Sequence, residues 1–241
     1  FGLPTQYQST ESVQGITSAD IDGDADVDVI TANYVDGDIN VFKNNGDGTF
    51  MAAVGYDSAP FGASGTFFVT TADFNNDGFL DIAAVNAGNN DVSIFLNNGN
   101  GIFGSAARFA SGGVNNRSVA AADFNADGNQ DITMSNLLSS PGVIGNLVSV
   151  LLGKGDGTLA PFQNFEAEQY VHSVAVGDFN SDLVVDMVAA NYSGSSNVSV
   201  FIGNGSPPAT STPDTTPPTV SITSPASGTT YTSAQTVTIN A

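Results

Sequence analysis

Asp20-Ile-Asp-Gly-Asp-Ala-Asp-Val-Asp28 opens a pattern that returns three more times along the chain. The later copies are Asp73-Phe-Asn-Asn-Asp-Gly-Phe-Leu-Asp81, Asp123-Phe-Asn-Ala-Asp-Gly-Asn-Gln-Asp131 and Asp178-Phe-Asn-Ser-Asp-Leu-Val-Val-Asp186. Each copy carries an oxygen-bearing side chain at positions 1, 3, 5 and 9. The first loop offers Asp20, Asp22, Asp24 and Asp28, and the second Asp73, Asn75, Asp77 and Asp81. The third offers Asp123, Asn125, Asp127 and Asp131, and the fourth Asp178, Asn180, Asp182 and Asp186. That alternation lets a tight loop turn several oxygens onto one hard cation, and calcium fits because it takes about six to eight oxygen ligands. Asp and Asn also favour turns through local hydrogen bonds. Turn preference accounts for one or two acids per loop, but not for the ninth-position Asp in all four.

The first Asp residues stand 53, 50 and 55 residues apart, a period that means an array, a solenoid or a propeller. Around each loop the same parts recur. An apolar residue lies four places ahead (Ile16, Val69, Val119, Val174), followed by small residues such as Ser18-Ala19 and Ala121-Ala122. Small side chains in a β-context suit a crowded innermost strand. A second strand leaves the loop at Val29, Ile82, Ile132 and Met187, and each reaches an Asn (33, 86, 136, 191). These Asn residues are expected to satisfy backbone groups at the edge of the sheet. A third strand follows at Ile39, Val92, Val148 and Val198. Glycine-rich turns such as Asn45-Gly-Asp-Gly48 and Asn98-Gly-Asn-Gly101 then supply the positive φ that tight hairpins need. A fourth strand is expected from Phe50, Phe103 and Leu159. The sequence therefore predicts an all-β protein, a β-propeller of four-stranded antiparallel blades. The fourth repeat stops after its third strand. Residues 1–8 align with the outer strand near Leu159, so either they supply the missing strand and close a ring, or the chain is cut mid-repeat from a larger propeller.

The chain has 241 residues and a formal net charge of −20, from 24 acidic residues against 4 basic ones. Fourteen of the acids lie in the four loops, so the imbalance belongs mostly to the repeated sites. Such a field excludes nucleic acid and anionic lipid as partners, since both need a basic footprint. No apolar run reaches the length of a membrane span. Cysteine is absent, which a reducing compartment allows and so does an extracellular setting with calcium in place of disulfides; weak acidic sites point to the latter, where calcium is millimolar. The start at Phe1, without a methionine, is that expected of a mature or excised piece of a longer precursor. His172 is the single histidine, and Glu11, Glu166 and Glu168 are the only glutamates. No acid/base pair, nucleophile or phosphate-cradling loop is visible, so the expectation is a non-enzymatic protein.

The loop–strand–hairpin unit over residues 1–205 resembles the FG-GAP/VCBS repeat family, the blades of integrin α-subunit propellers and of many bacterial surface proteins. Ser173-Val-Ala-Val-Gly-Asp-Phe-Asn and Val198-Ser-Val-Phe-Ile-Gly-Asn-Gly carry the likeness most clearly. The resemblance implies up to four calcium ions held by positions 1, 3, 5 and 9, with a backbone carbonyl from position 7. That position is Asp26, Phe79, Asn129 and Val184. Two loops depart from the pattern at position 6, where glycine eases the turn. Ala25 is offset by an extra nearby acid, whereas Leu183 weakens the fourth site. Residues 206–219 read as a Pro/Thr-rich linker. Residues 220–241 read as a β-strand tail that looks like the start of a bacterial Ig-like module.

Together these readings predict an extracellular or cell-surface module for adhesion or assembly. Its partner is a protein or a second copy, met through sheet edges or the C-terminal strands, which are suited to building a filament. The alternative is a carbohydrate-binding or accessory domain of a polysaccharide-active enzyme, with glycans as partners.

Overall fold

Alternating apolar residues flanked by Asp-rich loops and Gly hairpins fold each repeat into an antiparallel meander. The computed structural model describes residues 2–10, 12–59, 65–138, 147–168, 170–192 and 197–205. The expected linker (206–219) and tail (220–241) lie outside these residues, as does 139–146, most of the long connection in the third repeat. Among the described residues there are fifteen strands and no helix. The first blade holds β1 (Val13–Ala19), β2 (Asp28–Asn33), β3 (Asp38–Phe42) and β4 (Val54–Asp57). The second holds β5 (Thr66–Ala72), β6 (Asp81–Asn86), β7 (Asp91–Phe95) and β8 (Ala107–Ala110). The third holds β9 (Val114–Ala122), β10 (Asp131–Leu138), β11 (Leu147–Leu151) and β12 (Gln163–Glu166). The fourth has three strands, β13 (Val171–Gly177), β14 (Asp186–Asn191) and β15 (Val198–Phe201).

Strands pair in sequence order within every sheet, so each blade is a simple up-and-down unit. Each innermost strand begins with the same irregularity, a register shift against the second strand, as between Val13 and Gly15 or Thr66 and Phe68. A left-handed residue stands just ahead of it, at Ser12, Gly65, Asn115 and Tyr170. This bulge twists the strand where it enters the blade. The outer strands start later than the sequence suggests. Phe50, Phe103 and Leu159 form single bridges that close the hairpins, and the strands proper begin four residues further on.

The blades pack face to face, which explains why second and third strands are almost continuously apolar. In β6, Ile82 and Ala84 face the first blade, while Ala83 and Val85 face the third. The first seam joins Ile30, Ile39 and Val41 to Val69, Ile82 and Phe95, with ten buried side chains in all. Burying an aliphatic side chain is worth about 1.5–3 kcal/mol, so these seams supply most of the drive for the array.

Residues 2–10 do not complete the fourth blade. They lie against the first, where Ser9 Oγ donates to Asn33 Oδ1 (3.0 Å) and Thr10 Oγ1 donates to Asp38 Oδ1 (2.9 Å). The β13–β15 sheet stays three-stranded among the described residues, so closure by residues 1–8 is not seen.

The recurring Asn does more than cap the edge of a sheet. Asn86 is fully buried and accepts from Ser58 Oγ (2.8 Å) and Thr66 Oγ1 (2.9 Å). Its amide donates to Asp91 (2.7 Å) and Ser93 (2.9 Å). Asn136 likewise donates to Ser149 (2.7 Å), and Asn191 to Asn197 and Ser199 (2.8 and 2.9 Å). In the second and third blades this Asn is a buried polar node joining the first three strands, with Asn116 donating to Asn136 as Thr66 does to Asn86. Asn86→Ala strands several buried partners at once and is expected to cost about 3 kcal/mol in urea unfolding. Asn191→Ala, in the three-stranded blade with fewer partners, should cost less than half of that. Equal and small losses would show that the node is not a support.

Candidate metal centre

The acidic loops join each innermost strand to the second strand. Two residues per loop must take a left-handed conformation, at positions 4 and 6. These are Gly23 and Ala25, Asn76 and Gly78, Ala126 and Gly128, and Ser181 and Leu183. The first and fourth loops thus keep the shared backbone although position 6 is not glycine. Ala25 sits at φ 73° and Leu183 at 68°. For an L-residue that conformation costs about 1–2 kcal/mol.

Position 1 holds the loop closed. Asp73 accepts from the Asp77 and Gly78 amides at 3.1 and 2.8 Å, and Asp123 from Asp127 and Gly128 at the same distances. Asp20 does so from Gly23 and Ala25, and Asp178 from Ser181 and Leu183. Position 5 then accepts from the position-7 amide: Asp24 from Asp26, Asp77 from Phe79, Asp127 from Asn129, Asp182 from Val184. At position 3, Asn75, Asn125 and Asn180 donate to the position-5 carboxylate at 2.8–2.9 Å. Position 7 packs across the loop: a Cβ on hairpin Gly99 would meet the Phe79 ring at 2.8 Å.

Position 9 has a role that the sequence does not display. Asp28, Asp81, Asp131 and Asp186 are fully buried. One oxygen accepts the amide of position 2: Ile21, Phe74, Phe124 or Phe179, at 2.8–3.0 Å. The other accepts the amide just past the third strand: Asn44, Asn97, Gly153 or Gly203, at 2.7–2.8 Å. A single carboxylate thus bridges the loop to the end of the third strand in every blade. A carboxylate oxygen has a second lone pair, so this clamp leaves room for a cation as well.

The first loop brings its acids closest. Carboxylate oxygens of Asp20, Asp22 and Asp28 lie within 4.8 Å of one another. Asp22 Oδ1 is buried and has no hydrogen-bond partner, while its Oδ2 faces Lys43 Nζ at 3.2 Å. Lys43 also donates to the Asn100 carbonyl, tying this loop to the next blade. The donor set fits a hard divalent cation: three carboxylates converge and one buried oxygen lacks a donor. In the other three loops the acid at position 3 is replaced by Asn, so the charge density is lower. Adjacent loops touch, with Asn76 donating to Asn129 Oδ1 at 2.7 Å, so the second and third loops form one continuous rim.

Burial pushes the Asp81 and Asp131 carboxyls up to about 6, against the pull of their backbone donors and with the loop acids adding to the rise. Asp28 shifts in the same direction, again chiefly through burial.

The profile of the FG-GAP-like repeat matches residues 20–84 and 73–134. Residues 20–134 thus carry FG-GAP-like repeats, and the same strand order continues to residue 201. No curated protein sequence matches the chain. Among solved structures it is similar to a putative 6-phosphogluconolactonase from Bacteroides uniformis, at 19% identity and a TM-score of 0.52, covering 76% of this chain and 51% of that one. An Agrocybe aegerita lectin, described as recognising non-reducing terminal N-acetylglucosamine, is 21% identical over 78% of this chain and 51% of its own, with a TM-score of 0.48. The Vibrio cholerae biofilm matrix protein Bap1 is 18% identical over 83% of this chain and 40% of its own, with a TM-score of 0.41. At 19% identity the likeness to the Bacteroides uniformis protein is one of fold alone. The chain spans about half the length of the first two. No helix among the described residues is long and apolar enough to cross a membrane.

Two measurements check the loop geometry. Leu183→Gly should stabilise the protein by about 1 kcal/mol in urea unfolding, because it relieves the left-handed strain at an exposed site. Gly78→Ala, where a Cβ meets open space, should destabilise by about the same amount through the backbone alone. The buried acids set a pH dependence. The folded chain holds protons on Asp81 and Asp131 up to about 6, whereas their ordinary value is 3.8. Stability of the metal-stripped protein should therefore fall as pH rises from about 4 to about 6 and then level off. Thermal midpoints across that range read the slope, and Asp81→Asn with Asp131→Asn should flatten it.

Proposed function

We propose that the chain is a calcium-stabilised, non-catalytic propeller module that works outside cells in adhesion or assembly. The observation that carries this reading is the first loop, where three carboxylates converge around a buried, unpartnered Asp22 oxygen. Like charges this close repel, and a divalent cation relieves the repulsion and gives the free oxygen a partner. The ion would be held by Asp20, Asp22, Asp24 and Asp28, with the Asp26 carbonyl. Equivalent sets follow in the other loops: Asp73, Asn75, Asp77, Asp81 and the Phe79 carbonyl; Asp123, Asn125, Asp127, Asp131 and the Asn129 carbonyl; Asp178, Asn180, Asp182, Asp186 and the Val184 carbonyl.

The loop carboxylates at positions 1, 5 and 9 already accept backbone N–H groups, which supports a structural rather than an acid/base role. Weak acidic sites of this kind fill at the millimolar calcium found outside cells. The net charge of −20 supports the same setting, since four ions would offset eight of those charges.

Thermal unfolding with excess calcium, repeated after chelation, tests the proposal together with a count of bound metal by mass spectrometry. A cation present at about a hundred times its Kd adds about 2.7 kcal/mol per site, enough to move the midpoint by several degrees. Asp22→Ala should remove one ion from the count and leave the others. An unchanged midpoint with no bound metal would sink the calcium reading.

A further inference from the structure

Basic residues are few enough to be followed one by one, with 4 lysines and arginines against 24 acids. Lys43 faces Asp22 at 3.2 Å, and Arg108 lies by Asp91 and donates to the Ser58 carbonyl at 2.9 Å. Lys154 adds to the Thr158 hydrogen bonds that hold the Asp156 carboxyl low. Arg117 is the exception. Among the described residues it meets no carboxylate, and its Nε is buried without an acceptor. Its guanidinium lies 3.8 Å over the centre of the Phe67 ring, and Phe67 meets Tyr34 edge-on at 4.9 Å. Burial pulls the guanidinium below its ordinary pKa, with Tyr34 opposing the shift. A ring face offsets only part of the cost of taking this cation from water.

Arg117 and Phe67 hold one position of the repeat, two residues ahead of the apolar residue that anchors each innermost strand. Gln14 and His172 are its other occupants. The innermost strands touch here: a Cβ on Gly15 would meet the Phe67 carbonyl at 2.5 Å, and Ser118 Oγ lies 3.5 Å from Ser173 Oγ. Gln14, Phe67, Arg117 and His172 therefore form one row, at the end of the strands opposite the acidic loops. The residue after the node Asn, at this same end, sets Tyr34 beside Phe67 and Tyr192 beside His172, the latter pair 6.0 Å apart. Tyr34 is 39% and Tyr192 74% exposed, so both rings meet solvent. Asp38 and Asp91 share this end, but they are bound to Asn33 and Asn86 at 2.7 Å. The unpaired arginine and the single histidine thus stand among aromatic rings, while most of the acids lie at the other end.

We propose that this row binds a sugar that carries a single carboxylate, such as one uronic acid unit of an otherwise neutral glycan. The carboxylate supplies the acceptors that Arg117 lacks, through the paired N–H···O contacts by which a guanidinium recognises it. Phe67 fixes the plane of the guanidinium, and with it the plane in which the carboxylate docks. The exposed Tyr34 ring offers an apolar face to the sugar C–H groups and a hydroxyl at its tip. His172 and Tyr192 extend the same chemistry along the row. A net charge of −20 repels a polyanion, so an isolated carboxylate is the form that fits. An acidic peptide brings the carboxylate but no sugar ring to cover the tyrosine faces. The site lies apart from the acidic loops and does not rest on the metal.

Calorimetric titration of the full chain with methyl glucuronide, methyl glucoside and a blocked aspartyl dipeptide tests the proposal. Methyl glucuronide should bind at least about tenfold more tightly than either of the others, because only it offers both the charged acceptor and the ring. Arg117→Lys keeps the charge but loses the planar fork, and should weaken the glucuronide about tenfold with an unchanged urea midpoint. Tyr34→Ala should weaken it as well. A wild type that binds nothing, or that binds the neutral glycoside or the dipeptide equally well, would overturn the proposal. So would an Arg117→Lys variant that binds like the wild type. The wild-type series decides the ligand even where a variant fails to fold. Affinity should be the same in calcium and in chelator. Binding that vanishes in chelator would place the carboxylate on a loop-bound cation, and the Arg117 site would be rejected.

Discussion

Each blade depends on one buried carboxylate. The ninth-position Asp takes an amide from the start of the acidic loop and another from beyond the third strand, and thereby locks three strands into one unit. Burial disfavours the ionised form of such a group, and its two backbone donors offset part of that cost, because hydrogen bonds to a carboxylate are the strong kind. Everything at the rim follows from this clamp. It fixes where the loop begins and ends, so that position 1 accepts amides from positions 4 to 6, position 5 accepts that of position 7, and in the first loop the position-3 carboxylate meets those of positions 1 and 9. The seams between blades supply the larger energy, but they would act equally on a sheet with its loops frayed.

The fold was largely legible in the residues. A period near fifty with three alternating strands, a Gly hairpin and an outer strand per copy leads to four-stranded blades, and the strands observed at Asp28–Asn33 and Asp38–Phe42 sit where the pattern puts them. Two features were hidden. The role of Asp81 and its equivalents as backbone clamps is invisible in sequence, because a ninth-position carboxylate suits a ligand and a clamp equally well. The Asn86 node was hidden for a similar reason, since an edge cap and a buried hub both call for an amide. The position of residues 2–10 depends on which neighbouring sheet is at hand, and their likeness to an outer strand does not say whose strand they complete.

The candidate site is legible by degrees. The first loop, with five acids, gathers three of them and leaves one oxygen without a donor. In the later loops Asn at position 3 donates to the position-5 carboxylate, and local hydrogen bonds satisfy much of what a cation would satisfy. Loop shape is preserved in all four although Ala25 and Leu183 replace glycine, so backbone closure is the common requirement and charge density is what varies. The acidic rim and the apolar seams are therefore separate devices, one governing the stiffness of a blade and the other joining blade to blade.

Native-state hydrogen exchange of the Ile21, Phe74, Phe124 and Phe179 amides in metal-free protein tests the clamp most directly. These amides should exchange as slowly as the central strands, since opening them means breaking the blade. Exchange at the rate of the exposed loop amides would mean that the ninth-position carboxylates hold nothing without a cation.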